Sequence, residues 1–320
     1  MSKINHQWVG ALFLFLAASI WGGMYVISKY VLQYIPPFTL LWMRYCIAWV
    51  VLYGVLRTKQ QRSPKRFQKA DWYMFAKIGF IGYFLSVGAQ FIGTKLSDAH
   101  TGALITAASP VFTLIFARMV LKEHLSIQKI VSLVLTNIGM WIVIGVPGQG
   151  QSTLLGNLFL VAAAVTWALL SVFAKQASER HSALVVTTYS LLFAIFMTTP
   201  VMVWENLHSF SFYLLAKPSM FAGILYLGIV STAVAFFCWN KGLEYMDASI
   251  GSLFIFFQTL VGAVLGWFFL HEHLDWSFLL GGLCIVAGVG LVTRKQSDVS
   301  VASEVPVVSE VNVDSEMNME

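Results

Sequence analysis

The segment AASIWGGMYVISK, residues 17–29, has a counterpart 146 positions later in AAVTWALLSVFAK, residues 163–175. In both segments a lysine follows a tryptophan by eight positions at the end of an apolar run, as Trp21 with Lys29 and as Trp167 with Lys175. Chance does not readily produce the same pair of residues in the same apolar setting twice. The two segments therefore predict a duplicated structural unit.

Composition places this unit in a membrane. The chain is 58% hydrophobic and 11% charged, whereas a soluble domain has about 25% charged residues. An apolar run of about 20 residues crosses the bilayer core as a helix, and runs this continuous lack the alternation of a membrane β-barrel. We predict an all-α integral membrane protein with ten transmembrane helices, at roughly 8–28, 36–56, 74–94, 101–121, 128–146, 153–175, 183–204, 219–241, 248–270 and 277–293.

The first apolar run has a second interpretation, since an apolar segment near the N-terminus can be a cleaved signal peptide. The residues AAS at 17–19 are small enough for a cleavage site. Cleavage there would remove most of one copy of the repeat, whose partner lies deep in the chain. We therefore expect the first helix to be retained.

The distribution of lysine and arginine predicts the orientation. With the N-terminus inside, 14 of the 20 basic residues fall in inner loops and tails and 3 in outer loops. Positive residues are enriched on the cytoplasmic side of membrane proteins. The sequence predicts a plasma membrane protein with both termini in the cytoplasm and an even number of spans.

The repeat extends over the whole membrane region. KLSDAHTGALITAASP (95–110) resembles EYMDASIGSLFIFFQT (244–259), and VLKEHLS (120–126) resembles FLHEHLD (269–275), both at an offset of 149. We expect a first five-helix repeat at 8–146 and a second at 153–293. Because five is odd, the second repeat must be inverted, an arrangement typical of secondary transporters. Residues 294–320 are predicted to form an acidic, disordered cytoplasmic tail.

Two five-helix repeats, each with the tryptophan-to-lysine first helix and a glutamate turn after its fourth helix, resemble the EamA family of the drug/metabolite transporter (DMT) superfamily. The resemblance covers about residues 8–293. It implies an inverted-repeat fold and a central cavity lined by the first, third and fourth helices of each repeat. It also implies transport of amino acids, other metabolites, nucleotide-like compounds or toxic organic molecules, often outward. One departure is that many members have proline in both fourth helices, whereas this chain has Pro110 and Thr259.

Arg44 is the first candidate for substrate binding. It lies about 12 Å below the outer end of the second predicted span at 1.5 Å per residue, near the middle of a ~30 Å hydrocarbon core. A charge at that depth costs about 2.5–3.5 kcal/mol on insertion scales, so intramembrane charges are candidate functional sites. Arg44 is interpreted as the cation that receives a carboxylate or phosphate. The alternative is a structural arginine bonded to backbone carbonyls.

Other polar and aromatic residues occur in helices that the resemblance places around the cavity. Amides can bind a zwitterion without adding charge, and aromatic rings can form cavity walls. The alternatives are hydrogen bonds between helices and ordinary core packing. We predict that these residues contribute to the substrate site: Gln90, Asn240, Gln258, Trp21, Trp167, Trp239 and Tyr83.

Inversion predicts two ion pairs between the repeats. Lys29 and Glu272 lie at the outer end of their predicted spans, and Lys175 and Glu123 lie at the inner end. We expect each pair to close one face of the transporter and to break in turn during alternating access. Alternatively, all four side chains lie in the headgroup layer, where exposed pairs contribute about 0–1 kcal/mol.

Two further expectations concern helix ends and helix contacts. Asp247 precedes the ninth span, where an N-cap carboxylate would satisfy free backbone N–H groups. Gly262 and Gly266 form a pair that permits close packing inside the protein or dimerisation. A homodimer is therefore left open.

The sequence as a whole favours a secondary transporter of small organic metabolites, with amino acids or related carboxylate-bearing compounds first and export as the direction. One alternative is a broad exporter of hydrophobic or aromatic compounds, and another is a membrane sensor or scaffold that moves nothing. A membrane enzyme acting on lipids needs placed acid–base or metal-binding groups. The sequence shows no carboxylate cluster or glycine-rich phosphate loop, so we expect no enzyme.

The expected partners are a small-molecule substrate and membrane lipids, the latter at the basic loop between Arg57 and Lys69. No nucleic acid and no cofactor are expected. The motif HEH at 271–273 suggests a metal, but its counterpart is KEH and no further ligand is fixed near it. No metal site is predicted.

Overall fold

The computed structural model describes residues 6–59, 67–96, 105, 108–144, 153–206, 217–270 and 276–303 of the 320-residue chain. Within these ranges all regular structure is helical. We number the helices α1 (His6–Val31), α2 (Pro37–Lys59), α3 (Lys69–Lys77, Ile78–Ser86 and Val87–Leu96), α4 (Ser109–Leu121), α5 (Ile127–Ile144), α6 (Leu154–Ser178), α7 (Ala183–Asn206), α8 (Pro218–Tyr245), α9 (Ala248–Gly251, Ser252–Ile255 and Phe256–Leu270) and α10 (Trp276–Ser303).

These helices match the ten predicted spans in order. Nine of them contain, in the described part of the chain, a segment of at least 18 residues that is apolar enough to cross a membrane. The exception is α4, of which only Ser109–Leu121 is described. The prediction of an all-α integral membrane protein is confirmed.

The packing of the helices follows a pseudo-two-fold symmetry. Helix α1 packs against α8 and α9, while its counterpart α6 packs against α3 and α4. Helix α2 packs against its own counterpart α7, and α5 against its counterpart α10. For each of these contacts, replacing both helices by those five places away again gives a contact of the structure. The predicted fold of two inverted five-helix repeats is therefore confirmed.

Polar and apolar side chains are distributed as expected for a protein in lipid. Hydroxyl side chains such as Thr187 and Thr232 are fully buried. Large apolar side chains such as Trp141, Phe196 and Leu283 are more than half exposed. In a bilayer, exposed apolar surface contacts lipid, and polar groups are placed in the interior where they find partners.

Both third helices contain a π-helical segment at equivalent depth, Ile78–Ser86 in α3 and Ile229–Val234 in α8. A π-helical turn widens the helix, and such turns occur frequently at functional sites. The carbonyl oxygen of Ser231 in the α8 segment accepts a hydrogen bond from Trp21 Nε1 at 3.1 Å. This bond ties the first helix of one repeat to the third helix of the other.

Glycine allows α1 and α9 to touch along their backbones. A Cβ atom added at Gly22 would lie 2.5 Å from the carbonyl oxygen of Gln258. A Cβ atom at Gly262 would lie 3.4 Å from the carbonyl oxygen of Gly22. Gly262 therefore packs inside the protein, against the first helix.

The last helix ends later than the sequence predicts, and the two fourth helices differ around Pro110. Pro110 lies in the first turn of the described α4, with Ala108 in a turn before it, whereas the equivalent part of α9 is helical without a break. Helix α10 continues to Ser303, ten residues into the segment predicted to be a disordered tail. No glycine or proline interrupts the chain between Gly290 and Pro306, so nothing in the backbone stops the helix at residue 293. The remainder of the tail lies outside the described residues.

Candidate substrate cavity

A cavity of about 110 Å³, partly open to solvent, lies where the two repeats meet. The cavity is smaller than a usual ligand pocket of about 300–1,000 Å³. Its walls come from α1, α3 and α4 and from their counterparts α6, α8 and α9, with one residue each from α2 and α5. The lining consists of Trp21, Met24, Arg44, Ser86, Val87, Gln90, Phe91, Ser109, Met140, Ala163, Ala164, Trp167, Phe236, Ile255, Phe256, Gln258 and Thr259.

Arg44 reaches this cavity from α2 and is only 4% exposed. Its Nε donates to Thr232 Oγ1 at 3.1 Å, and its Nη2 lies 3.3 Å from both Ser231 Oγ and Met24 Sδ. In the described part of the chain these hydroxyl and thioether groups are its partners, and no carboxylate forms an ion pair with it. A guanidinium has five N–H donors, so Arg44 retains donors for a further acceptor.

Aromatic rings form one wall of the cavity. The ring centroid of Trp21 lies 5.3 Å from that of Trp167, 5.6 Å from Phe236 and 5.4 Å from Trp239. We call these four residues the aromatic cluster. Three of them line the cavity, while Trp239 is 1% exposed and packs behind them. Centroid separations of 4.5–7 Å are favourable for aromatic pairs, so the wall is well packed before any ligand enters.

A polar network supports this wall from behind. Asn240 Nδ2 donates to Tyr83 Oη at 3.1 Å and to Thr187 Oγ1 at 2.8 Å. The Tyr83 ring stacks on Phe236 with centroids 4.6 Å apart. Tyr45 Oη donates to the backbone oxygen of Tyr83 at 2.7 Å. Asn240 and Tyr83 therefore hold Phe236 in position and do not themselves line the cavity.

Of the eight residues predicted to bind substrate, the structure brings five together on the cavity surface: Arg44, Gln90, Gln258, Trp21 and Trp167. The other three, Tyr83, Trp239 and Asn240, lie in the layer behind it. Substrate binding by any of them stays a prediction.

Several residues of the site were not predicted from the sequence. Ser231 and Thr232, which bind Arg44, are adjacent hydroxyl residues in the apolar run GIVSTAVAFF, and that pair was a readable signal. Ser86 and Ser109 are single serines with no comparable signal. Apolar lining residues, such as Met24, Phe91 and Phe236, look like ordinary membrane-helix residues in the sequence.

Charged and polar groups from both repeats meet at one end of the bundle. Glu123, in the α4–α5 turn, accepts hydrogen bonds from Ala248 N at 2.7 Å, from Ser249 N at 3.3 Å and from Ser249 Oγ. Lys129 Nζ lies 3.3 Å from Glu123 Oε2 and 2.8 Å from Asp247 Oδ2. We call Glu123, Lys129, Asp247 and Ser249 the closure cluster. It fixes the start of α9 in the second repeat to the first repeat.

Asp247 does not act as the N-cap that its position suggested, since its side chain makes no capping bond. Its carboxylate is directed to Lys129, and the free N–H groups of α9 are satisfied by Glu123 from the other repeat. A carboxylate at a helix N-terminus is stabilised by the helix dipole as well as by these bonds. The N-terminus of α9 is thus capped by Glu123, a side chain from the other repeat.

The structure pairs Glu123 with Lys129, where the sequence suggested Lys175. Lys175 Nζ donates to the backbone oxygen of Glu244 at 3.4 Å. Glu244 in turn accepts from Lys241 Nζ and from Ala183 N. Glu244 precedes Asp247 of the closure cluster by three residues, so Lys175 lies at the same end of the bundle as Glu123 without forming an ion pair with it in this structure. A latch between them in another state stays a prediction.

The second predicted latch and the suggested metal motif fall outside the described part of the chain. Residues 271–275 include Glu272 and the HEH motif, and the side chain of Lys29 is likewise outside it. Among the residues that the structure does describe, no three His, Cys, Asp or Glu side chains are grouped so that they could hold a metal ion.

The fold and the cavity define a class of membrane transport protein built from two inverted repeats. The profile of the EamA-like transporter family matches residues 8–145 and 154–294. The chain belongs to the EamA-like transporter family, and with it to the membrane transporters of the drug/metabolite type. This confirms the resemblance seen in the sequence.

Individual relatives agree with this assignment. The chain is 26% identical over 296 residues to the "Uncharacterized transporter YetK" of Bacillus subtilis, covering 90% of this chain and 88% of the relative. It is 22% identical over 288 residues to an "Uncharacterized transporter" of Archaeoglobus fulgidus, covering 89% and 97%. A solved structure titled "Crystal structure of protein" shares the fold with a TM-score of 0.74 at 18% identity, covering 91% of this chain and 98% of that one.

Proposed function

We propose that this transporter moves small organic metabolites bearing a carboxylate or another anionic group across the cytoplasmic membrane by alternating access, with export as its direction. The observation that carries the proposal is Arg44, a buried cation on the cavity surface whose described partners are two hydroxyls and a thioether. A buried charge is stabilised by a counter-ion. An anionic substrate supplies that counter-ion when it occupies the cavity.

Alternating access follows from the arrangement of the repeats. The cavity lies at their interface, and the closure cluster joins them at one end through Glu123 and the start of α9. Opening of that end requires α9 to leave Glu123, which frees the cap and separates Lys129 from Asp247. The positive-inside bias makes this the cytoplasmic end. The termini of the chain are then also cytoplasmic.

A second candidate function is the export of a broad range of hydrophobic or aromatic compounds. The aromatic cluster supports it, because three of its rings face the cavity. The two candidate functions differ in how they depend on Arg44. A carrier of anions depends on the charge of Arg44. A carrier of neutral aromatic compounds depends on the rings of the aromatic cluster and tolerates the removal of Arg44.

Comparative metabolite profiling of medium and cytosol tests the proposal. Cells express the wild type, Arg44→Ala, the control Arg57→Ala or no transporter, with the amount of protein in the membrane matched. Arg57 is an exposed arginine that bonds Tyr53 at a helix end, outside the cavity lining. We expect one class of anionic metabolite to accumulate in the medium with the wild type and with Arg57→Ala, and to fall to background with Arg44→Ala.

Two results would contradict the proposal. Equal export by the wild type and Arg44→Ala would make the arginine structural and favour the carrier of aromatic compounds. Export of nothing, followed by no uptake of any metabolite mixture into proteoliposomes, would favour a sensor or scaffold.

A further inference from the structure

We infer that the substrate of this cavity carries a net charge of −1 and an apolar or aromatic body, and that it lacks a free ammonium group. This inference rests on the proposed function and narrows it. Amino acids and their deaminated or N-acylated derivatives all carry a carboxylate that Arg44 can bind. The charge of the cavity and its aromatic walls favour some of these compounds over others.

The charge of the cavity lining favours a monoanion. Among the cavity residues that the structure describes, Arg44 is charged and the others are neutral. Charge attraction is strong in a low-dielectric interior because little water is present to screen it. A substrate of charge −1 neutralises the cavity. A zwitterion leaves the total charge at +1, with its own ammonium close to the guanidinium.

The ammonium of a bound amino acid would lie close to Arg44. One carbon atom separates it from the carboxylate, so a carboxylate bound to Arg44 holds the ammonium near Arg44 too. The polar groups on the described cavity surface are hydroxyls and amides, such as Ser86, Ser109 and Gln90. Burying an ionised ammonium among neutral groups is unfavourable compared with leaving it in water. Replacing the ammonium with hydrogen or an acyl amide removes this penalty.

The wall of the cavity favours an apolar or aromatic body in the substrate. Trp21, Trp167 and Phe236 line the cavity together with Phe91 and Phe256. Side chains behind this wall pack against it, as Tyr83 does by stacking on Phe236. A preformed aromatic surface binds a flat or apolar body without first ordering side chains. The substrate is thus an organic monoanion with a substantial hydrophobic part.

The test uses four probes with the same benzyl group and different charges: N-acetylphenylalanine and 3-phenylpropionate as anions, phenylalanine as zwitterion and 2-phenylethylamine as cation. Binding to the purified wild type in nanodiscs is measured by titration calorimetry at neutral pH. We expect both anions to bind at least about tenfold more tightly than phenylalanine. The cation is expected not to bind.

Variants link this ranking to the cavity. Arg44→Gln should remove the preference for the anions, while Arg44→Lys retains part of it and Arg57→Gln leaves it unchanged. Size-exclusion profiles establish that each variant is folded. The comparison of probes on the wild type stands by itself if a variant does not fold.

Three results would overturn the inference. If phenylalanine binds as tightly as N-acetylphenylalanine and depends on Arg44, the substrate is a zwitterion and the proposed function still holds. If the cation binds best, the aromatic wall selects positive charge. If none of the four binds while the metabolite profiles show export of another anion, the proposed function survives and the aromatic or apolar body is wrong.

Discussion

Two buried cations, Arg44 and Lys129, are used in opposite ways. They are 4% and 8% exposed, so both are largely removed from water. Lys129 lies within 3.3 Å of two carboxylates, from Glu123 and Asp247, whereas Arg44 contacts two hydroxyls and a sulfur atom. A buried charge with its counter-ions present holds elements together. One without a counter-ion remains available to an anion that arrives from outside the protein.

The largest expected effect is on stability at the closure cluster. Removing one partner of a buried ion pair costs about 3–5 kcal/mol, and we reduce this to about 2–3 kcal/mol for Lys129→Met because Asp247 is 37% exposed. Arg44→Met should not lower stability, since it leaves no carboxylate unpaired. Thermal unfolding of both variants in the same detergent without ligand measures the difference. Equal losses of thermal stability in the two variants would contradict the different roles assigned to the two cations.

The next effect is on transport. A hydrogen bond to a charged group contributes about 1.5–3 kcal/mol, so Arg44→Gln should lower anion uptake into proteoliposomes by about 10- to 100-fold. Arg44→Lys keeps the charge but loses the fork of donors, and we expect an intermediate rate. Full activity of Arg44→Gln would show that the substrate does not use the cation.

A smaller effect should come from Thr232, which holds the guanidinium through Nε. Thr232→Val removes the bond from Arg44 and a second bond to the carbonyl oxygen of Leu227 in its own helix. A hydrogen bond is worth about 1 kcal/mol, and from the loss of the bond to Arg44 we expect about a fivefold rise in the KM for the anion. The control is Thr198→Val, a fully buried threonine in α7 that bonds a carbonyl of its own helix. Similar rises in both variants would point to a general loss of packing.

The smallest effect compares two tryptophans in the aromatic cluster. Trp21 Nε1 donates to Ser231 O, whereas Trp239 Nε1 is buried and has no hydrogen-bond partner in the described part of the chain. Trp21→Phe should lower the free energy of unfolding by about 1 kcal/mol more than Trp239→Phe does, because only Trp21 loses a bond. Denaturation of the two variants under the same conditions measures this difference. A larger loss for Trp239→Phe would contradict the assigned bonding.

The sequence alone was sufficient for the fold because its signals are local or periodic. Apolar runs of helix length specify the spans, and an odd number of helices in each repeat forces the inversion. Arg44 was also recognisable, since a charge in the middle of an apolar run is rare. Its partners were not, because Thr232 is 188 positions away in the chain and a hydroxyl in a membrane helix has many ordinary explanations.

The partner of Glu123 could not be predicted for a different reason. The symmetry of the repeats pointed to Lys175, but local geometry decides the contact. Lys122 adopts a left-handed conformation with φ of 57°, and this ends α4 and starts the turn that leads into α5. Glu123 and Lys129 are then close enough to pair. The offset between repeats carries no information about such a turn.

The single positive charge of the cavity has an electrical consequence. If the substrate is the monoanion inferred above, each export event moves one negative charge outward across a membrane that is negative inside. That movement is favoured by about 2.3 kcal/mol per 100 mV, equivalent to a concentration ratio of about 50. The membrane potential alone would therefore drive export, without a coupling ion. A carrier of this kind would work fastest in the most strongly energised cells and would slow as the potential collapses.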